Sequence, residues 1–213
     1  MNTPQARTKQ RSGHADTAEA ILDVAERLVQ TCGYNGFSYA DVAVRLGITK
    51  AALHYHFASK GELGVALLAR YSDRFLGALV DTETQPLSAA AKLDVYARLY
   101  LEVLHGGRMC LCGMLAAEYQ TLPMPMRAAV REFFDQNERW LTTVLESGRE
   151  DGSLRFDGPA EQAARVIVSD LEGAMLIARL HDDIDRFTTT VERLLAALLG
   201  PIRRKRPAKA SPT

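Results

Sequence analysis

The sequence predicts an all-α protein, with a small N-terminal helix-turn-helix domain followed by a larger helical body. Three observations carry this. Apolar residues recur at helical spacing along the chain, and no stretch sustains apolar/polar alternation over the length of a strand. Glycine and proline punctuation falls at helix-length intervals, at Gly33/Gly36, Gly47, Pro86, Gly106-Gly107, Pro123/Pro125, Gly152 and Gly158-Pro159. Between residues 38 and 63, three helix starts with the same local chemistry follow one another.

The elements come in order. Ile21, Ala25, Leu28 and Val29 share one face of a helix from about Thr17 to Cys32, which Gly33 and Gly36 end. Ser38 can cap the next helix while Phe37 packs on Val42, and Thr49 can cap another while Ile48 packs on Leu53. Gly47 between them can take the left-handed conformation that stops a helix. Ser59 caps a third, with Glu62 completing a capping box. That helix, 59 to about 80, would reach roughly 33 Å, long enough to act as a lever. Further helices are expected near 88–105, 107–120, 126–150, 159–181 and 184–199. The expected division is a flexible arm over 1–13, a helix-turn-helix domain over 14–60, a body over 61–200 and a disordered basic tail over 201–213.

Composition narrows the function. Of 213 residues, 47% are apolar and 24% charged, an ordinary globular mixture. No apolar run is long enough to span a bilayer, and the first residues have no apolar core that would make a secretory signal, so no membrane partner is expected. Three cysteines form no disulfide framework, which points to a reducing cytoplasm. The net charge of zero hides +2 over residues 1–60, −7 over 61–200 and +5 beyond. A basic head on an acidic body suits a polyanionic partner.

The stretch GITKAALHYHFASKGEL (47–63) poses the chemical question. His54 and His56 stand about 200° apart around a helix and cannot share a metal. No serine–base pair or metal-ligand cluster accompanies them, so neither an enzyme nor a cofactor is expected. Thr49, Lys50, His54, Tyr55, His56 and Lys60 instead gather hydroxyl, imidazole and ammonium donors at one corner, and such donors suit phosphate oxygens. The helix N-terminus at Thr49 adds partial positive charge.

Residues 17–63, through AILDVAERLVQTCGYNGFSYADVAVRLGITKAALHYHFASKGEL, resemble the DNA-binding domain of the TetR family of bacterial transcription regulators. By position, the resemblance implies that Ser38 and Tyr39 start the helix that meets the DNA backbone. Thr49, Lys50 and Ala51 begin the recognition helix, and Tyr55, His56 and Lys60 hold phosphates. His54 departs from the family's usual tyrosine, and imidazole has a shorter reach than phenol. The family also implies a homodimer through the helices near 159–181 and 184–199. Val166, Ile167, Leu171, Ala174, Met175 and Ala178 would form one stripe, and Val191, Leu194, Leu195 and Leu198 the other, unless the same stripes face their own core.

RMCLCGMLAAEYQTLP (108–123) resembles the C-L-x-G-x-L-x-x-E segment of the N-ethylmaleimide-responsive (NemR-like) branch, through Cys110, Gly113, Leu115 and Glu118. That resemblance implies a cysteine that senses electrophiles and oxidants; the alternative is that Cys110 and Cys112 are small buried hydrophobes. Arg108, His105 or a helix N-terminus near Gly107 could lower the thiol pKa. Met109, Met114, Tyr119, Phe133, Phe134, Trp140 and Met175 are candidates to line an effector cavity or to be plain core. The expected function is a cytoplasmic, homodimeric, DNA-binding repressor released from a palindromic operator by a small molecule, electrophile or oxidant. The rival readings are a helical protein-binding adaptor, or a regulator with a non-covalent apolar effector and inert cysteines.

Overall fold

The computed structural model describes residues 4–199, with side chains from Asp16 onward. Among these it contains nine α-helices, one short 3-10 turn and no strand. They are α1 (Pro4–Cys32), α2 (Tyr39–Leu46), α3 (Lys50–His56), α4 (Lys60–Glu83), α5 (Ala89–His105), α6 (Leu111–Ala117), α7 (Met124–Glu150), α8 (Ala160–Leu180) and α9 (Asp185–Leu199), with the 3-10 turn at Tyr119–Thr121.

Two helix boundaries differ from expectation. The first helix begins at Pro4 rather than near Thr17, so the segment expected as an arm is, from Pro4 on, part of α1. Proline suits a first helical position, and the Gln, Ala, Arg and Lys that follow are good helix formers. The first three residues and the expected basic tail over 201–213 lie outside the described residues. The helix expected over 107–120 is shorter. Gly107, at φ 66°, ends α5 in a Schellman arrangement, with Arg108 N–H donating to the Val103 carbonyl. The chain then runs extended until Cys110 caps α6.

The helix-turn-helix forms by the expected local chemistry. The Asp41 carboxylate accepts from both the Ser38 N–H and the Ser38 hydroxyl, each at 2.7 Å. Gly47 (φ 64°) closes α2 in another Schellman motif, with Ile48 N–H donating to the Ala43 carbonyl at 3.0 Å. Thr49 Oγ1 accepts from Ala52 N–H, and Ser59 Oγ from Glu62 N–H, both at 3.1 Å. The Glu62 carboxylate reaches back to Ala58 N–H, one residue earlier than a standard capping box.

One continuous core joins the two parts. Ile21, Ala25, Phe37, Val42 and Leu53 bury against Leu63 and Leu67 at the start of α4, which runs on between α5 and α7 through Tyr71, Phe75 and Leu79. The 24 residues of α4 span about 36 Å, so a single rigid element belongs to both halves. Arg70 binds α4 to α1, with Nη1 at 2.9 Å from Glu19 and 2.8 Å from Asp23, and Nη2 at 2.9 Å from the buried Glu26. Arg74 also pairs with Glu26, at 2.6 Å.

The apolar stripe expected on α8 divides between two faces. Ile167, Leu171, Met175 and Ala178 are buried in their own body and Ala174 is half-buried. The exposed face carries Val166, Gly173, Leu176, Ile177 and Leu180. On α9, Leu198 is buried, and Val191, Leu194 and Leu195 pack partly against the core. The expectation merged two stripes lying at different angles around one helix. No helix among the described residues is long and apolar enough to cross a membrane.

Candidate functional site

The outward face of α3 carries Lys50, Ala51, His54 and Tyr55, all exposed, and Tyr55 is 77% exposed. Leu53 on the opposite side is fully buried, so this seven-residue helix is fixed by one apolar anchor and its Thr49 cap. Thr49 and Ser38 are exposed, and each keeps a side-chain oxygen at a helix N-terminus. Tyr39 is half-buried, and its hydroxyl donates to the Phe57 carbonyl at 2.9 Å. The His54 ring lies 4.8 Å from the Tyr39 ring, and Nδ1 is 3.1 Å from the Ala58 carbonyl. A carbonyl only accepts, so this hydrogen bond assigns the hydrogen to Nδ1 and leaves Nε2 of the neutral ring as an acceptor. His56 is half-buried beside Tyr55, their rings in edge contact at 5.6 Å.

Lys60 requires a correction. Expected at a phosphate, it turns inward, and Nζ donates at 2.5 Å to the carbonyls of both Tyr34 and Phe37. The ammonium also sits 4.4 Å and 4.2 Å from the centres of those two rings. Partial burial lowers its pKa. The residue ties the α1–α2 turn to α4 and gives no outward charge in this arrangement. Lys60→Met should therefore lower stability by about 1–3 kcal/mol, because two carbonyls lose a charged donor. Thermal unfolding measures this; an unchanged melting temperature together with uniformly weaker DNA binding would restore the phosphate role.

The body's polar centre lies where α4, α5, α6 and α8 meet. Cys110 caps α6, its Sγ accepting from Gly113 N–H at 3.4 Å and lying 3.8 Å from the Tyr71 hydroxyl. The carboxylate of Glu172 on α8 lies against Gly113, the residue whose N–H meets Sγ, and its proximity raises the thiol pKa. Tyr96 and Tyr100 share a hydroxyl–hydroxyl contact of 3.0 Å, and both are buried. Glu172 as a residue is half-buried, but its Oε1 is buried and has no hydrogen-bond partner. A Cβ at position 113 would overlap the Glu172 carboxylate, so Gly113 is what lets the carboxylate reach α6. Burial raises the Glu172 pKa to about 7.

The expected activation of Cys110 is not found. Burial pushes its thiol well above the usual range, and the neighbouring Glu172 adds to the shift. Arg108 points away and donates to Gln30 Oε1, while His105 is exposed at the end of α5. The helix N-terminus lies at Cys110 itself, not near Gly107, and supplies only the Gly113 N–H. Cys112 is fully buried, and burial raises its pKa too.

Other candidates divide. Phe133 packs against Tyr71, Phe75 and Phe134, and Trp140 stacks on Tyr96. Met109 and Met175 are buried and Met114 is partly buried. Tyr119 lies apart, on the 3-10 turn under the guanidinium groups of Arg127 and Arg131. The sequence reading missed Tyr71, Tyr96, Tyr100 and Glu172. An acidic residue within the apolar run VIVSDLEGAML was the available signal for Glu172.

The short α6 also grips the N-terminal half at both ends. Met109 N–H donates to the Gln30 carbonyl at 3.1 Å. At the other end, the Glu118 carboxylate accepts from the N–H groups of Tyr34 (2.6 Å) and Asn35 (3.3 Å). Arg179 of α8 donates to the carbonyls of Gln30 and Thr31 at 2.9 and 2.5 Å.

Comparison with known proteins gives two family matches along the chain. Residues 21–67 match the family described as "Bacterial regulatory proteins, tetR family", and residues 90–194 match "Tetracyclin repressor-like, C-terminal domain". The HTH-type transcriptional repressor NemR of Escherichia coli K12 is 28% identical over 190 residues, which are 85% of this chain and 94% of that protein. A TetR-family regulator from Agrobacterium tumefaciens of known crystal structure is 31% identical, with a TM-score of 0.85, over 88% of this chain and 100% of that one. A TetR regulator from Legionella pneumophila is 35% identical, with a TM-score of 0.77, over 84% and 95%. With this correspondence along nearly the whole length of solved relatives, the chain belongs to the TetR family: it is a helix-turn-helix, DNA-binding transcriptional regulator and not an enzyme.

Proposed function

We infer that the protein is a cytoplasmic repressor that binds a palindromic operator as a homodimer and is released when Cys110 is modified by an electrophile or oxidant. The observation that carries the reading is the position of Cys110: it caps α6, whose flanking residues Met109 and Glu118 hold the DNA-binding half. The 28% identity to the repressor NemR supports it. Lys50, Ala51, His54 and Tyr55 would face base edges in the major groove, with Ser38, Thr49 and the neighbouring helix starts on phosphates. The exposed face of α8 would pair with its copy. Gly173, against which an added Cβ meets nothing, would allow two helices to approach closely there.

Two recognition helices in one dimer must sit about 34 Å apart to read successive major grooves. An adduct on a fully packed thiol adds volume that the core cannot absorb without moving α6, and overpacking typically costs about 1–3 kcal/mol. That is the size of coupling that changes affinity about 5–150-fold. The test is a gel-shift titration on the protein's own upstream region before and after N-ethylmaleimide. Wild type and the Cys32→Ser and Cys112→Ser variants should lose affinity, while Cys110→Ser should keep it. Full modification of Cys110 with unchanged affinity would favour a non-covalent effector in the aromatic core.

A further inference from the structure

We propose that Glu172 is the general base that makes Cys110 reactive, so that the pair, rather than the thiol alone, takes up α,β-unsaturated carbonyl compounds. The proposal rests on the reading of Cys110 as the signal-receiving group. Two independent features of the geometry support it. Glu172 is close enough to the thiol to raise its pKa, and the buried Oε1 of its carboxylate has no partner. Position 113 leaves the space that the carboxylate fills, and the same residue's N–H is aimed at Sγ. A buried carboxylate with an unused oxygen is a costly arrangement for a purely structural role.

Cys110 itself is buried, and the nearest described cleft stops at Tyr71. A cleft of about 270 Å³ between α1, α4 and α5 is lined by Tyr71, Phe75, Arg74 and Arg108, among others. Tyr71 lines this cleft, and its hydroxyl lies 3.8 Å from Cys110 Sγ. An electrophile entering from this cleft would have to displace the Tyr71 ring to reach the thiol. The step balances without a co-reactant. The thiol proton passes to the Glu172 carboxylate as sulfur forms a bond to the β-carbon of the electrophile. The carbon–carbon π pair moves to the carbonyl as an enolate, and the protonated Glu172 returns the proton to the α-carbon. The carboxylate is regenerated, and no group is oxidised or reduced. The ionisable groups facing it are Tyr71 from α4, Tyr96 and Tyr100 from α5, and Cys110 and Cys112 at α6. Burial holds all five neutral through the neutral range.

The experiment measures the rate of N-ethylmaleimide addition to Cys110, by peptide mass spectrometry of the folded full-length protein, as a function of pH. In wild type the rate should rise to a plateau as Glu172 ionises around pH 7. Glu172→Gln keeps the shape but cannot take a proton. It should react about 100-fold more slowly at neutral pH and show no plateau, its rate still climbing with hydroxide. Gly113→Ala is the second variant: the added methyl displaces the carboxylate and should give the same slow, plateau-free profile, whether or not Glu172→Gln folds. A wild-type rate and profile in either folded variant overturns the proposal. A fast, Glu172-dependent adduct that leaves operator affinity unchanged would instead overturn the signalling role of Cys110 while sustaining the dyad.

Discussion

Ile177→Asp is expected to separate the proposed dimer and lower operator affinity by about 10²–10⁴-fold, the loss incurred when two linked half-site contacts become independent. Ile177 is 44% exposed in the single chain, on the α8 face with Val166, Gly173 and Leu180, of which Leu180 is 73% exposed. An apolar row of this kind on a globular surface marks an interface. A carboxylate placed there would be buried against its own copy, with like charge opposing like charge across the two-fold axis. The substituted side chain points away from the core, so the single chain should keep its fold. Sedimentation gives the mass and gel shifts give the affinity. A variant that remains dimeric and binds normally would move the interface to another face.

Glu172 should dominate the pH dependence of stability. Its carboxyl titrates near its ordinary value of 4.5 in the unfolded chain and at about 7 in the folded one. Between those two values the folded state holds a proton that the unfolded state has released. Raising the pH through this window therefore favours unfolding, and above pH 7 the contribution levels off. The gap between the two values corresponds to about 3 kcal/mol. Urea titrations should show wild type losing about that much stability relative to Glu172→Gln across the window. Below the window the two proteins should keep a constant difference. Parallel stability curves throughout would mean that the carboxylate is solvated, and the Cys110–Glu172 contact would lose its basis.

Most of the fold was readable because it is written locally. Ser38, Thr49 and Ser59 each act within a turn of their own position, and Gly47 ends a helix through its own backbone conformation. The helix-turn-helix and the exposure of Lys50, Ala51 and Tyr55 follow from that local chemistry and one apolar anchor, Leu53. Family membership was legible for the same reason, since the resemblance ran through contiguous residues.

What tertiary structure decided was the direction of side chains that reach across elements. Lys60 has the residue type for a phosphate contact, yet two carbonyls twenty-three and twenty-six residues earlier hold it inward. The stripe on α8 shows where apolar residues are, but packing against α7 and α9 determines which of them remain outside. Cys110 reads as a thiol awaiting activation by nearby cations. The fold turns Arg108 toward Gln30 instead and brings in Glu172, sixty-two residues away, through a gap that only a glycine leaves. A sequence determines charge and helix-forming tendency residue by residue, whereas reactivity depends on dielectric and distance. Both of those are set only when separate helices are packed together.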